Sequence, residues 1–168
     1  ARKNMEIGIR LMELAELEPE YDRYSAANDQ FSVAHHLFKS EGKKKELLDC
    51  TKWQIKALCG MGALSRACEQ IENTLESLGE FPQAVELLAP LVKITYLDQK
   101  MRGDTVFYQT EAVLEKAKHF KVKHPVFSEI ETEIQELYGD IHLFAVGIND
   151  YEPPIPSLQS CLKDVENM

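Results

Sequence analysis

The chain has 168 residues, 44% of them hydrophobic, with Lys+Arg 19 against Asp+Glu 28 and a formal net charge of −9. That composition supports one sizeable buried core and suits a single domain better than two. It excludes nucleic acid as the expected partner, because phosphate binding depends on clustered Lys and Arg that release counterions.

Apolar residues recur at helical spacing almost throughout, and the pattern breaks where Gly, Pro or charge clusters supply a reason for a turn. Seven helices are predicted and no strand. The first, residues 3–17, carries Met5, Ile9 and Met12, with Pro19 where the next helix begins. The second, residues 20–40, places Tyr21, Tyr24, Phe31, Ala34 and Phe38 along one side and ends near Gly42. The third, residues 43–59, turns Leu47, Leu48, Thr51, Ile55 and Leu58 inward, and the pair Gly60 and Gly62 then turns the chain. The fourth, residues 63–78, aligns Leu64, Cys68, Ile71, Leu75 and Leu78, and Gly79 closes it. Phe81-Pro82 opens a fifth helix through Val85, Leu88, Leu91 and Val92, in which Pro90 predicts a kink or an early break. A sixth, residues 104–120, follows Gly103 and carries Phe107, Val113, Leu114 and Ala117. The seventh, residues 125–144, is the most regular, with Phe127, Ile130, Ile134, Leu137, Ile141 and Phe144.

From Gly147 the character changes. Pro153, Pro154 and Pro156 exclude a helix and predict an extended linker, after which Ser157 caps a short helix carrying Leu158, Leu162 and Val165. So short a helix is marginal alone in water, so it is expected to cover the last hairpin, the alternative being that it occupies a groove in cis or, by self-association through the tail, in a neighbouring molecule. The expected organisation is therefore a helical repeat domain over residues 1–146, then a Pro-containing linker and C-terminal helix over residues 147–168. No apolar run reaches the roughly 18 residues of a membrane helix and no secretory leader is evident, which predicts no membrane insertion and an intracellular, cytoplasmic setting. Cys50, Cys59, Cys68 and Cys161 show no C-x-x-C pairing and read as free thiols. Ala1 in place of an initiator Met reads as a fragment or a processed form.

Helices two to seven group into three hairpins with short connections, the sequence form of an all-α antiparallel helix-hairpin array. Sliding the second and third helices onto the fourth and fifth matches Gly42 with Gly79, within the roughly 34- to 47-residue periods of helix-pair solenoids. The third hairpin turns at Lys121-Val122-Lys123 rather than at a glycine, so the periodicity is degenerate. Residues 66–94 resemble a tetratricopeptide repeat: Ile71 and Leu75 hold the first-helix apolar positions, Gly79 the turn, and Ala84 and Leu88 the second-helix positions. Asn73 stands where some members of that family carry a groove-facing Asn, while Glu72, Leu91 and Thr95 depart from the pattern.

The resemblance implies a binding role, since such repeats stack into a superhelix whose concave groove is lined mainly by the first helix of each pair. The groove candidates it implies are Asp29, Ser32, His36 and Lys39 from the second helix, with Arg66, Glu69, Asn73 and Ser77 from the fourth. A Lys-rich carboxylate clamp for chaperone tails is not evident. The alternative is that these are ordinary solvated helix residues.

Lys116, Lys118, His119, Lys121, Lys123 and His124 form the densest positive patch, fit for an acidic peptide or a phosphate. The plainer reading is lysines complementing the negative end of a helix. The Lys43-Lys44-Lys45 run lies near a helix start, where positive charge is mildly unfavourable. Adjacent His35 and His36 point about 100° apart and cannot chelate one metal, and Gly60-x-Gly62 lacks a third glycine and a preceding strand for a phosphate loop. No carboxylate pair sits in an apolar setting suited to acid-base work. Trp53 is expected to pack between helices. No catalytic residue, metal or cofactor is predicted. The reading is a non-enzymatic adaptor or scaffold that binds a peptide or helix of a partner protein through its concave surface. The alternatives are a structural subunit that oligomerises within a larger assembly, and an unrecognised helical enzyme or a lipid or small-ligand binder.

Overall fold

The first seven predicted apolar stripes become helices in the computed structural model, which describes the backbone of residues 1–148 and the side chains of residues 1–139. The order is α1 (Arg2–Leu17), α2 (Tyr21–Ser40), α3 (Lys44–Gly60), α4 (Leu64–Leu78), a 3-10 segment (Pro82–Leu87), α5 (Leu88–Arg102), α6 (Tyr108–His119) and α7 (Pro125–Ile148). Among the described residues there is no strand. The protein is an all-α array: consecutive helices pack from α1 to α6, α1 also reaches α3, and the short connections make neighbours antiparallel. One compact unit covers Ala1–Ser128, and a second starts at Glu129, inside α7. Along α7, Phe127, Ile130 and Ile134 are buried as the stripe predicts, but Leu137 is 38% exposed. The predicted extended segment and final helix, with Cys161, lie outside the described residues.

The core of the first unit is built on Phe31, Phe38, Leu47, Leu58, Ile71 and Leu78, from α2, α3 and α4. Gly8 lets α1 lie directly on the Phe31 ring, where a Cβ would come within 2.6 Å of Cε1. Trp53 packs partly buried against this core, stacked on Phe31 at 6.4 Å and covered by the Lys56 ammonium. The Cys50 thiol donates to the Phe31 carbonyl at 3.4 Å.

Four helices end in one way. The N–H groups of Lys43, Ala63, Asp104 and Val122 donate back to the carbonyls of Phe38, Leu58, Gln99 and Ala117 at 2.9–3.0 Å, with a left-handed residue just before each donor. In α2, α3 and α5 that residue is Gly42, Gly62 or Gly103; in α6 it is Lys121, at φ 54°. The Lys121 turn, unlike a glycine turn in sequence, thus has the same backbone closure. Gly60, expected to turn the chain, instead ends α3 and packs on the Tyr24 ring.

Gly42 and Gly79, matched in sequence, are not equivalent in structure. Gly42 follows the buried Phe38 by a full turn, whereas Gly79 follows the buried Leu78 at once, with ψ −127°. Burial repeats instead between residues 31–40 and 71–80, aligning Phe31, Ala34 and Phe38 with Ile71, Thr74 and Leu78. The fifth helix also starts later than Phe81. Pro82–Leu87 forms a 3-10 segment, and α5 then begins at Leu88, which places Pro90 in the first turn where its missing N–H leaves no bond unmade.

The sixth helix begins at Tyr108 rather than near Asp104, because buried Gln99 holds the preceding loop. Its Oε1 accepts from the Thr110 N–H (3.0 Å) and hydroxyl (2.8 Å), and its Nε2 donates to the Val106 carbonyl (3.3 Å). Phe107, the residue before α6, offers no side-chain cap, so Gln99 of α5 satisfies a first-turn N–H that would otherwise be orphaned.

Candidate functional site: a furrow between α4 and α6

Of the eight groove candidates, four lie on α2 and four on α4. Asp29, Ser32, His36 and Lys39 are all exposed on α2, and Ser32 is engaged locally, donating to the Asn28 carbonyl and accepting from Gln54 Nε2 at 2.9 Å. On α4, Arg66, Glu69 and Asn73 are exposed, while Ser77 is half-buried and donates back to the Asn73 carbonyl. Of the eight, Glu69 alone lines the furrow described next.

That furrow runs between α4 and α6. Glu69, Glu72 and Glu76 stand on the α4 wall; Gln109, Val113, Lys116 and Phe120 follow one another along and just beyond α6 at helical spacing on the other. Two hollows adjoin at Glu72. The polar one holds about 230 Å³ near Thr95 and Asp98 of α5. There Arg102 bridges Asp98 (3.4 Å), Asp104 (3.1 Å) and Gln109 (3.1 Å), and Ser65 donates to Asp98 at 2.8 Å. The other holds about 720 Å³, with an apolar lining that includes Leu75, Phe81, Pro82, Val85 and Leu88. Phe120, 53% exposed, stands at its edge. The 3-10 segment shapes this end, because its tight winding presents Pro82 and Val85 together to the opening.

The basic patch divides by role. All six side chains are exposed, and Lys116 lines the furrow. Lys118 pairs with Glu115 at 2.8 Å, Lys121 forms the left-handed turn, and His124 Nδ1 accepts the Val126 N–H at 3.2 Å, capping the start of α7. In the Lys43-Lys44-Lys45 run, Lys43 pairs with Glu41 and Lys44 donates to the Leu78 carbonyl at 3.0 Å. A charge unfavourable at its own helix start is thereby placed at the end of α4, where it is favourable.

His35 sits between α2 and α4. Its Nε2 receives a hydrogen bond from Gln70 Nε2 at 2.9 Å and lies 3.1 Å from the Thr74 hydroxyl, which is itself 3.1 Å from that of buried Thr51. Burial, with Lys39 and His36 nearby, lowers its pKa from 6.5 to about 4, so the ring is neutral at pH 7. Burial likewise pushes the Cys50 thiol up to about 12 and raises Cys59 and Cys68, which disfavours the thiolate a nucleophile needs. Among the described residues, no three His, Cys, Asp or Glu side chains gather where they could hold a metal ion, and no helix is long and apolar enough to cross a membrane.

The chain matches no family model, no curated protein and no solved structure.

Proposed function

We propose that this chain is a non-enzymatic interaction domain, an adaptor or scaffold, that binds a peptide or helix of a partner protein in the α4–α6 furrow. The observation that carries the reading is the opening of about 720 Å³ with Leu75, Phe81 and Val85 in its lining and Phe120 at its edge. A concave, largely apolar site with a few charged groups at its margin is the form that helix and peptide grooves take. The tetratricopeptide resemblance supports the same reading, since α4 and α6 are then the first helices of successive hairpins. A second reading, a subunit that self-associates, is favoured by one feature: Ile7, Leu14 and Leu17 are 39%, 51% and 80% exposed along α1.

Photo-cross-linking separates the two. With benzoylphenylalanine placed at Gln109 or Lys116, one partner protein is expected to be captured from cell lysate, and Phe120→Ser is expected to abolish the capture. The same partner captured equally from Asp29 or Lys39 on α2 overturns the furrow assignment. Adducts of the chain with itself through Leu14 favour the second reading.

A further inference from the structure

The furrow carries the charge signature of its occupant, an inference that rests on the docking reading above. Glu69, Glu72 and Glu76 succeed one another over roughly 10 Å of α4, and Glu80 continues the row past the helix end. All four are exposed and line the furrow. Among the described residues none lies within ion-pair distance of a basic side chain. Other exposed carboxylates divide: Glu18 and Glu20 pair with Arg23 and Glu86 with Lys52, whereas Glu13 and Glu16 on α1, like the α4 row, have no basic partner among the described residues.

Within α4 this arrangement is unfavourable. Like charges three and four residues apart repel, and α4 has no basic residue in its last turn to complement the negative end of its dipole. The ammonium that does reach that end, from Lys44, is bonded to the Leu78 carbonyl rather than to any of the four glutamates. An occupant bearing positive charge at the same spacing relieves the repulsion, and the apolar lining beside the row supplies the rest of a helix-shaped site. A second copy of this chain is a poor occupant. The exposed α1 stripe of Ile7, Leu14 and Leu17 carries a cation at Arg10 but is flanked by Glu6, Glu13 and Glu16, so it lacks the continuous basic edge that would match the wall.

We propose that the furrow takes a basic amphipathic helix of a partner protein, its apolar stripe seated between Val85 and Phe120 and its Lys or Arg edge along Glu69, Glu72, Glu76 and Glu80. Such a helix presents cations at the three- and four-residue steps of the wall.

The test uses the full chain and three labelled peptides followed by fluorescence anisotropy. Two share a leucine stripe and differ in a lysine or a glutamate edge; the third scrambles the lysine peptide so that it loses its stripe. The lysine peptide is expected to bind and the other two to fail. A Glu72→Gln, Glu76→Gln double variant is expected to weaken binding by about threefold to tenfold while raising the thermal midpoint of the free protein. That opposition is the mark of charges kept for an occupant, and a merely structural role moves the midpoint down. Equal binding of lysine and glutamate peptides, both lost with Phe120→Ser, overturns the charge inference and leaves the docking reading standing. Equal binding of the scramble reduces the effect to diffuse attraction by an acidic protein and overturns the proposal. Failure of all three peptides overturns it together with helix docking in the furrow, while the cross-linking test still reports on docking of any other segment.

Discussion

The space between α2 and α4 is bridged by His35, Gln70 and Thr74, whereas the space between α4 and α6 holds the furrow, with no hydrogen bond across it among the described residues. Both are gaps between alternate helices of one array. The difference follows from what joins them. Turns closed at Gly42 and Gly62 carry the chain tightly from α2 through α3 to α4, and the side chains then meet. From α4 to α5 the chain instead passes Gly79 and the 3-10 segment, whose residues line the opening rather than fill it. The furrow in this fold thus lies where the connection lengthens, rather than being marked by any one polar residue.

The furrow depends on where α6 starts, so the largest expected effect comes from Gln99. A Gln99→Leu change keeps the volume but leaves the Thr110 N–H and the Val106 carbonyl without their partner, at a cost of about 3 kcal/mol. Urea unfolding should show the loss. Hydrogen exchange should place it in α6 more than in α2, and equal loosening of both breaks the contrast between the two gaps.

A smaller effect, confined to the closed gap, comes from pH. His35 titrates near 4 in the fold and near 6.5 when unfolded, so between these values the unfolded chain binds more protons. Stability from this group is complete above about pH 6.5, falls as pH drops through the window, and is gone below about 4. The half-exposed ring reduces the effect to about 1–2 kcal/mol. Thermal melts of the parent and of His35→Gln should converge in their pH dependence outside the window and differ within it. Parallel curves contradict the assignment.

The smallest is a gain. At Lys121 the left-handed backbone costs roughly 1–2 kcal/mol for a side-chain-bearing residue, against roughly 0.5–1 kcal/mol for the extra freedom glycine has when unfolded. Lys121→Gly should therefore stabilise by about 0.5–1 kcal/mol, read as a higher thermal midpoint. An unchanged or lower midpoint shows that this turn is not the equivalent of Gly42, Gly62 and Gly103.

Much of the fold was legible in the residues. The stripes of Phe31, Ala34 and Phe38, of Leu47 and Leu58, and of Ile71 and Leu78 are buried as their spacing requires. The late start of α6 was not legible, because a glutamine one helix earlier supplies the cap and no local pattern announces it. The site was less legible still. The candidates on α4 named Glu69 but also Arg66, Asn73 and Ser77, which do not line the furrow, while Gln109, Val113 and Phe120 carried no signal beyond their steps of four and seven residues.

The sequence by itself determined most of the residues that the helices bury, where most helices end, and the acidic character of α4, because period, turn chemistry and charge are properties of neighbours along the chain. Only the tertiary structure decided which gap stays open, which α4 face becomes its wall, and that Lys121 turns as a glycine would. Those depend on how helices two elements apart are held, which is decided by packing across the array and not by neighbours along the chain.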